Sequence, residues 1–218
     1  MRLSRYGGNP NIGVFAAANE SISFVAGNAS PEFLGDIEEA LGVRAVPITV
    51  YSSFVVGSLM AINSNGAVVT GMIEDGELER IASFIPCMKL RETLNAAGNN
   101  ILANDRGAII NPGFSDGTVK ELEDFLGVEC VRSSVAGCDT VGSVCAATNK
   151  GCVCHADASD EEVELISDVL KVEARRTSVN HGSRMVGSGI VANSKGAVVG
   201  DASTPIEMGR IEDGLVLY

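Results

Sequence analysis

Five glycines set the frame of this chain. Gly13, Gly57, Gly98, Gly142 and Gly187 lie 44, 41, 44 and 45 residues apart. The text around them repeats: VGSLMAINSNGAVVTG from Val56 and VGSGIVANSKGAVVGD from Val186 share VGS, NS and GAVV in one register. A period of this length marks one supersecondary unit that cannot bury its apolar face alone and must stack on its neighbours.

The anatomy of a unit follows from position relative to its glycine. Six residues on stands Asn19, Asn63, Asn104, Thr148 or Asn193, and nine residues on, in four copies, Gly66, Gly107, Gly151 or Gly196. Short apolar runs flank this Asn-x-x-Gly, which predicts a hairpin whose turn draws on the tolerance of Asn and Gly for left-handed backbone. Ile22 replaces the second glycine in the first copy, so that turn is expected to differ. After each hairpin the apolar period lengthens to nearly four: SPEFLGDIEEAL from Ser30, EDGELERIASFI from Glu74, SDGTVKELEDFL from Ser115, SDEEVELISDVL from Ser159 and STPIEMGRIEDGL from Ser203. Capping Ser or Asp, first-turn proline at Pro31 and Pro205, and early carboxylates predict five amphipathic helices. A third strand follows in VRAVPITV, CMKLRETL, VECVRSSV and VEARRTSV.

The fifth copy has no such strand before Tyr218, but MRLSRYGG precedes the first glycine at the expected distance. If it supplies the missing strand, the array closes and leaves no sheet edge bare, whereas an open solenoid would need polar terminal caps that neither end copy shows. The expected fold class is therefore α/β, with five β-β-α-β repeats in a closed pseudo-fivefold ring and the N-terminal strand completing the last repeat. A single domain over residues 1–218 is expected, since a chain of this size buries most of its apolar surface in one unit. Aromatic residues are scarce and Trp is absent, so Val, Ile, Leu and Ala must fill the interior.

A formal charge of -12 opposes binding to nucleic acid through clustered phosphate contacts and favours a basic protein partner. MRLSRYGGNP lacks the apolar core of a secretory signal, and six cysteines without framework spacing read as reduced thiols, so a cytoplasmic protein is expected. Ala45–Ile73 carries no charge and is long enough to cross a bilayer. Pro47, Asn63, Ser64, Asn65 and Gly66 interrupt it, which argues for strand and turn instead of a membrane span.

Candidate chemistry is sparse. Cys152, Cys154 and His155 with Cys145 across a hairpin suggest thiolate and imidazole ligands, but there is no second ligand pair, and the other copies place Ala67, Ala108, Ala197 and Val69, Ile110, Val199 at the two later cysteines. Cysteine as a small buried hydrophobe explains them. His155 and His181 have no identifiable catalytic partner. No cofactor or metal is expected, and the glycine steps do not form a phosphate-binding loop. Helix carboxylates read as a solvated face. Eight of sixteen Lys and Arg residues lie on third strands, among them Arg2, Arg44, Lys89, Arg132 and Arg176, and are expected to pair with carboxylates of the same or a neighbouring unit. The five glycines are explained by close packing where the units converge. The residues after them, Val14, Ser58, Asn99, Ser143 and Ser188, would project from equivalent places at one end, where small polar groups could dock a partner.

The five copies, the VGS steps, Asn104-Asp105, TNKGC from Thr148 and VANSKGAVV from Val191 resemble the archaeal and eukaryotic translation initiation factor 6 family, over essentially Arg2 to Leu217. The short C-terminus is similar to archaeal members. The resemblance implies the pentein fold and a monomeric ribosome anti-association factor that is not an enzyme. Such a factor binds the subunit-joining face of the large ribosomal subunit, chiefly through a ribosomal protein beside the sarcin–ricin loop with limited rRNA contact. It blocks small-subunit joining sterically and takes part in large-subunit maturation. It also implies that residues after the repeat glycines meet the partner: Ser58 and Asn99 first, then Ser143 and Ser188. Ser58 stands where eukaryotic members carry a basic residue, so an ionic contact there is not carried over. The rival reading is a guanidine-modifying hydrolase of the same architecture, but those enzymes need inserted loops and a late catalytic cysteine, and the last cysteine here is Cys154.

Overall fold

The computed structural model describes all residues, Met1–Tyr218. It is a mixed α/β protein with five three-stranded sheets. The first four comprise Ala16–Ala18, Ile22–Ala26 and Arg44–Ile48; Met60–Ile62, Ala67–Thr70 and Cys87–Leu90; Ile101–Ala103, Gly107–Ile110 and Glu129–Arg132; and Cys145–Ala147, Gly151–His155 and Glu173–Thr177. In each, the middle strand runs antiparallel to the first and parallel to the third. The fifth sheet joins Ile190–Asn193 and Gly196–Gly200 to Arg2–Ser4 from the other end of the chain, with Leu3 opposite Val199 in parallel register. The N-terminal segment thus takes the third-strand place of the fifth unit.

The long helices are Pro31–Leu41, Asp75–Ala82, Asp116–Leu126, Asp160–Leu170 and Pro205–Leu215. Each begins at a side chain that accepts a free first-turn N–H: Ser30 from Phe33, Ser115 from Thr118, Ser159 from Glu162, Thr204 from Glu207, and Glu74 in a reciprocal box with Glu77. The glycine steps also form single helical turns, Val56–Leu59, Ala97–Asn100 and Val141–Val144 as α and Ile12–Val14 and Gly187–Gly189 as 3-10. Four residues are too few for periodicity to reveal them.

No unit has an interior of its own. Phe24 and Val46 of the first unit pack with Met60 and Ile81 of the second, Val68 of the second with Leu122 and Leu126 of the third, and Ile109 of the third with Ile166 and Leu170 of the fourth. Val153 of the fourth packs with Ile211 and Leu215 of the fifth. Val191 and Val198 of the fifth pack with Phe33, Ile37 and Leu41 of the first.

The hairpin turns correct the expected role of their Asn and Gly. None of these residues has positive φ. Asn63 is buried. Its Oδ1 accepts from Asn65 N (3.0 Å) and Gly66 N (3.2 Å), and its Nδ2 donates to the carbonyls of Asn104 (3.3 Å) and Leu126 (2.9 Å) in the next unit. Asn104 repeats the pattern toward Thr148 (3.0 Å) and Leu170 (2.9 Å), and Asn193 toward Asn19 (3.2 Å) and Leu41 (3.0 Å). The glycine is needed for proximity: a Cβ at Gly107 would fall 2.0 Å from the carbonyl oxygen of Val169, and one at Gly196 2.0 Å from that of Ala40. The first turn does not differ as expected, since Asn19 Oδ1 accepts from Ser21 N and Ile22 N, both at 2.9 Å. Ile22 shares a core cluster with Ile81 and Ile85, on and just after Asp75–Ala82, a helix of 8 residues where the others have 11.

The third-strand cations mostly pair as expected: Lys89 with Asp75 (2.8 Å), Arg132 with Asp116 (2.6 Å), Arg176 with Asp160 (2.5 Å), and Arg2 with Asp36 (3.1 Å). Arg44 departs from this, lying over the Phe84 ring at 5.6 Å. No helix is long and apolar enough to cross a membrane, and the uncharged stretch Ala45–Ile73 is divided among three strands, a loop and a helical turn.

Candidate functional site

Strand direction gives the molecule two distinct ends. First strands run from the glycine turns to the Asn turns, second strands return, and the long helices start at the glycine end. The five glycine turns press on one another there. A Cβ at Gly57 would lie 1.9 Å from the carbonyl oxygen of Gly13, at Gly98 1.8 Å from Gly57, at Gly142 2.0 Å from Gly98, at Gly187 2.0 Å from Gly142, and at Gly13 2.2 Å from Gly187. Real Cβ atoms do not approach oxygen so closely, so glycine is required at all five positions. The first strands and these glycines line one cavity, and Asn19, Asn63, Asn104, Thr148 and Asn193 line a second, smaller one.

The residues after the glycines are therefore held side by side. Ser58 and Asn99 occupy adjacent helical turns and are half-buried, as are Val14 and Ser188. Ser143 is only 6% exposed, so the burial of its turn leaves it little surface. Its carbonyl accepts from the Ser188 hydroxyl at 3.4 Å.

Around this end lie residues that sequence reasoning missed. Tyr51, Phe54, Leu94 and Met185 are exposed, Tyr51 and Leu94 to 48%, and all sit on segments leading into glycine turns. For Tyr51 and Phe54 the signal was present in the uncharged run from Ala45, which spacing alone could not divide into buried and displayed residues. These segments are rigidly held. Tyr51 and Ser52 both have φ 54°, as does Ala136 nearly at 52°, and Asn180, His181 and Gly182 are left-handed too. Non-glycine residues in this region are strained and need outside support. Glu77 supplies it by accepting from Thr49 Oγ1 (2.6 Å), Tyr51 N (2.7 Å) and Ser52 N (2.9 Å). Glu162 accepts from Ala136 N at 2.9 Å. Glu207 accepts from Ser178 Oγ (2.7 Å), His181 N (3.1 Å) and Gly182 N (2.8 Å).

These three glutamates correct the reading of helix carboxylates as a merely solvated face. Each stands third in its helix, where it both caps and clamps. Burial opposes ionisation of Glu207, but donors from Thr204, Gly182 and Ser178 outweigh it and hold the carboxyl down at about 2. In the first unit, where Phe33 occupies the third position, Tyr6 stacks on Phe15 at 3.9 Å and meets Phe33 edge-on at 5.6 Å instead.

Cys138 is partly buried on the segment leading into Gly142, whereas the cysteines of the candidate ligand cluster lie inside the protein. Cys145 and Cys154 are direct cross-strand partners, both buried with Cys152 in the interior. Burial pushes the Cys145 and Cys152 thiols well up and Cys154 up to about 11, Arg176 drawing the last partly back. Such thiols are poor nucleophiles. His155 follows Cys154 and so faces the opposite side of the strand, where its Nδ1 accepts from Asp157 N at 3.0 Å. No three His, Cys, Asp or Glu side chains gather as metal ligands would.

Residues 1–214 match the eIF-6 family. The chain belongs to that family. It is 47% identical over 208 residues to "Translation initiation factor 6" of Archaeoglobus fulgidus, covering 95% of this chain and 96% of that protein. It is 43% identical over 209 residues to the protein of that name from Methanocorpusculum labreanum, covering 94% of each, and 42% identical over 217 residues to that of Natronomonas pharaonis, covering 99% and 98%. The eIF-6 family is one of non-enzymatic translation initiation factors.

Proposed function

We propose that this eIF-6 family chain is a ribosome anti-association factor: its glycine end seats on the subunit-joining face of the large ribosomal subunit and sterically blocks the small subunit. The contact is chiefly to a ribosomal protein beside the sarcin–ricin loop, with limited rRNA contact. The chain works as a cytoplasmic monomer, accompanies late large-subunit maturation, and folds over 1–218 as one pentein domain, a closed pseudo-fivefold ring. Support for closure comes from the contact of Gly13 with Gly187, the pairing of Leu3 with Val199 and the Asn193 bonds to the first unit.

The observation that carries the functional reading is the character of the glycine end. Its leading segments are tied down by helix glutamates, carry few charges and are partly apolar, with Tyr51, Phe54 and Leu94 on the segments that lead to Ser58 and Asn99. Exposed aromatic and aliphatic side chains on a fixed scaffold suit a protein partner, while the acidic remainder of the surface is repelled by phosphate. Ser58 and Asn99 are the principal contacts on this reading and Ser188 adds a third, with Ser143 supporting it from beneath.

Sedimentation of purified large and small subunits with the protein tests this. Wild type is expected to prevent joining, and Asn99→Arg, which thrusts a long charged side chain from the contact surface, to restore it. Normal joining at saturating wild-type protein would overturn the occlusion mechanism.

A further inference from the structure

The segments leading into the five glycine turns, residues 6–13, 50–57, 91–98, 135–142 and 180–187, contain only Arg91, Glu92, Asp139 and Arg184 as charged side chains. Glu92 is occupied, accepting from Ser115 N (2.9 Å) and Thr118 Oγ1 (2.7 Å). Arg184 pairs with Asp157 at 2.7 Å. Arg91 lines a different groove, beside Leu78 and Glu121 of two long helices. Of the two carboxylates in these segments, Asp139 is the exposed one that has neither a hydrogen bond nor an ion pair inside the chain.

Asp139 borders a groove shared with Leu94, Asn95 and Asn99. The Asn95 and Asn99 side-chain amides likewise bond to nothing in the chain. The floor, by contrast, is fixed: Asn111 Nδ2 donates to Asn100 Oδ1 at 2.8 Å, and Asn100 Nδ2 donates to the carbonyls of Leu94 (3.1 Å) and Ala96 (3.0 Å). The other units carry Phe15, Leu59, Val144 and Gly189 where the third has Asn100. Only the third unit uses a buried amide pair there to hold its leading segment, and only that segment faces the unpaired carboxylate.

We propose that this groove receives one Lys or Arg side chain of the protein partner, with Asp139 as counter-ion, the Asn95 and Asn99 amide oxygens as further acceptors, and Leu94 against the aliphatic stem. The inference rests on the reading of the glycine end as the partner-binding surface. A single carboxylate among neutral neighbours has no competing internal cation, so its field falls on whatever docks there. A cation gains from that field, and an RNA phosphate in the same place is repelled.

The experiment is binding of the full chain to purified archaeal large subunits over a range of salt, with Asp139→Asn, Asp139→Lys and Asn99→Arg, each checked by thermal unfolding. Asp139→Asn is expected to weaken binding about tenfold and flatten the salt dependence, and Asp139→Lys to weaken it roughly a hundredfold. If Asn99→Arg weakens binding while both Asp139 variants match wild type in affinity and salt slope, the cation assignment is wrong and the surface stands. If Asn99→Arg also binds like wild type, the surface itself is misassigned. Tighter binding by the Asp139 variants means a phosphate faces this position and overturns the proposal.

Discussion

The Asn turns allow the strength of the seams between units to be measured one bond type at a time. Asn104 does two jobs: Oδ1 closes its own turn by accepting from Arg106 N (2.9 Å) and Gly107 N (3.1 Å), and Nδ2 crosses to Thr148 O and Leu170 O. Thr148, at the same place in the fourth unit, does only the first, its Oγ1 accepting from Lys150 N (3.1 Å) and Gly151 N (3.2 Å). Asn104→Thr should therefore keep the turn and cut the seam. Two lost bonds at about 1 kcal/mol each, plus the partial desolvation cost of two buried carbonyls, give roughly 3 kcal/mol. Asn104→Ala also frees two turn N–H groups, and because one of them reaches water the total rises to about 4–5 kcal/mol. For a chain of this size 3 kcal/mol lowers the unfolding midpoint by roughly 6–12 °C. Reversible urea unfolding with an unchanged slope is the assay. Equal losses for Thr and Ala, or a loss below about 1 kcal/mol for Thr, would refute the division of labour.

The reciprocal change, Thr148→Asn, supplies an amide where the seam between the fourth and fifth units has none, and should raise stability by about 1 kcal/mol in the same assay. Gly57→Ala places a methyl carbon 1.9 Å from the Gly13 carbonyl oxygen; backbone cannot yield that far, so insoluble protein or a loss above about 4 kcal/mol is expected by circular dichroism and urea titration. Glu207 is held at about 2 against 4.5 when unconstrained, so its contribution is full above pH 4.5 and disappears as pH falls through about 2; Glu207→Gln should be less stable at pH 7 and lose less on acidification. Native protein should leave Cys145 and Cys152 unlabelled by a thiol reagent at neutral pH, and urea should expose all six cysteines.

Whatever recurred in the sequence was legible, because five parallel versions filter local accident from constraint. The hairpins, the five long helices, the third strands and the N-terminal replacement all followed from aligned positions. The missed features are those in which a residue acts on another unit. Asn63 looked like a turn former because its Oδ1 does close the turn, but its amide reaches Leu126, 63 residues away, and no local pattern records that. Glu77 looked solvated because a helix face tolerates glutamate, while its partners Tyr51 and Ser52 lie in a segment whose left-handed backbone the side chains do not advertise. At the candidate site, the offset from a glycine placed Val14, Ser58, Asn99, Ser143 and Ser188 together, and the family resemblance singled out Ser58 and Asn99. Tyr51, Phe54 and Leu94 have no common offset, so only coordinates gather them.

Repetition also explains why the differences between units matter. Five equal turns would offer a partner five equivalent registers, and a partner without fivefold symmetry would then seat in any of them. The glycines cannot vary, since each is wedged against the carbonyl of its neighbour, so register must be written at the next residue and in the leading segments. There the units diverge: Val14, Ser58, Asn99, Ser143 and Ser188 differ in size and burial, and only the third unit carries the Asn100–Asn111 lock. On the proposed reading, the second and third units display the polar pair Ser58 and Asn99 with most of the exposed apolar surface, while the fourth buries its serine. On that reading, a scaffold that wedges all five glycines against their neighbours turns small side-chain differences into a single orientation of docking.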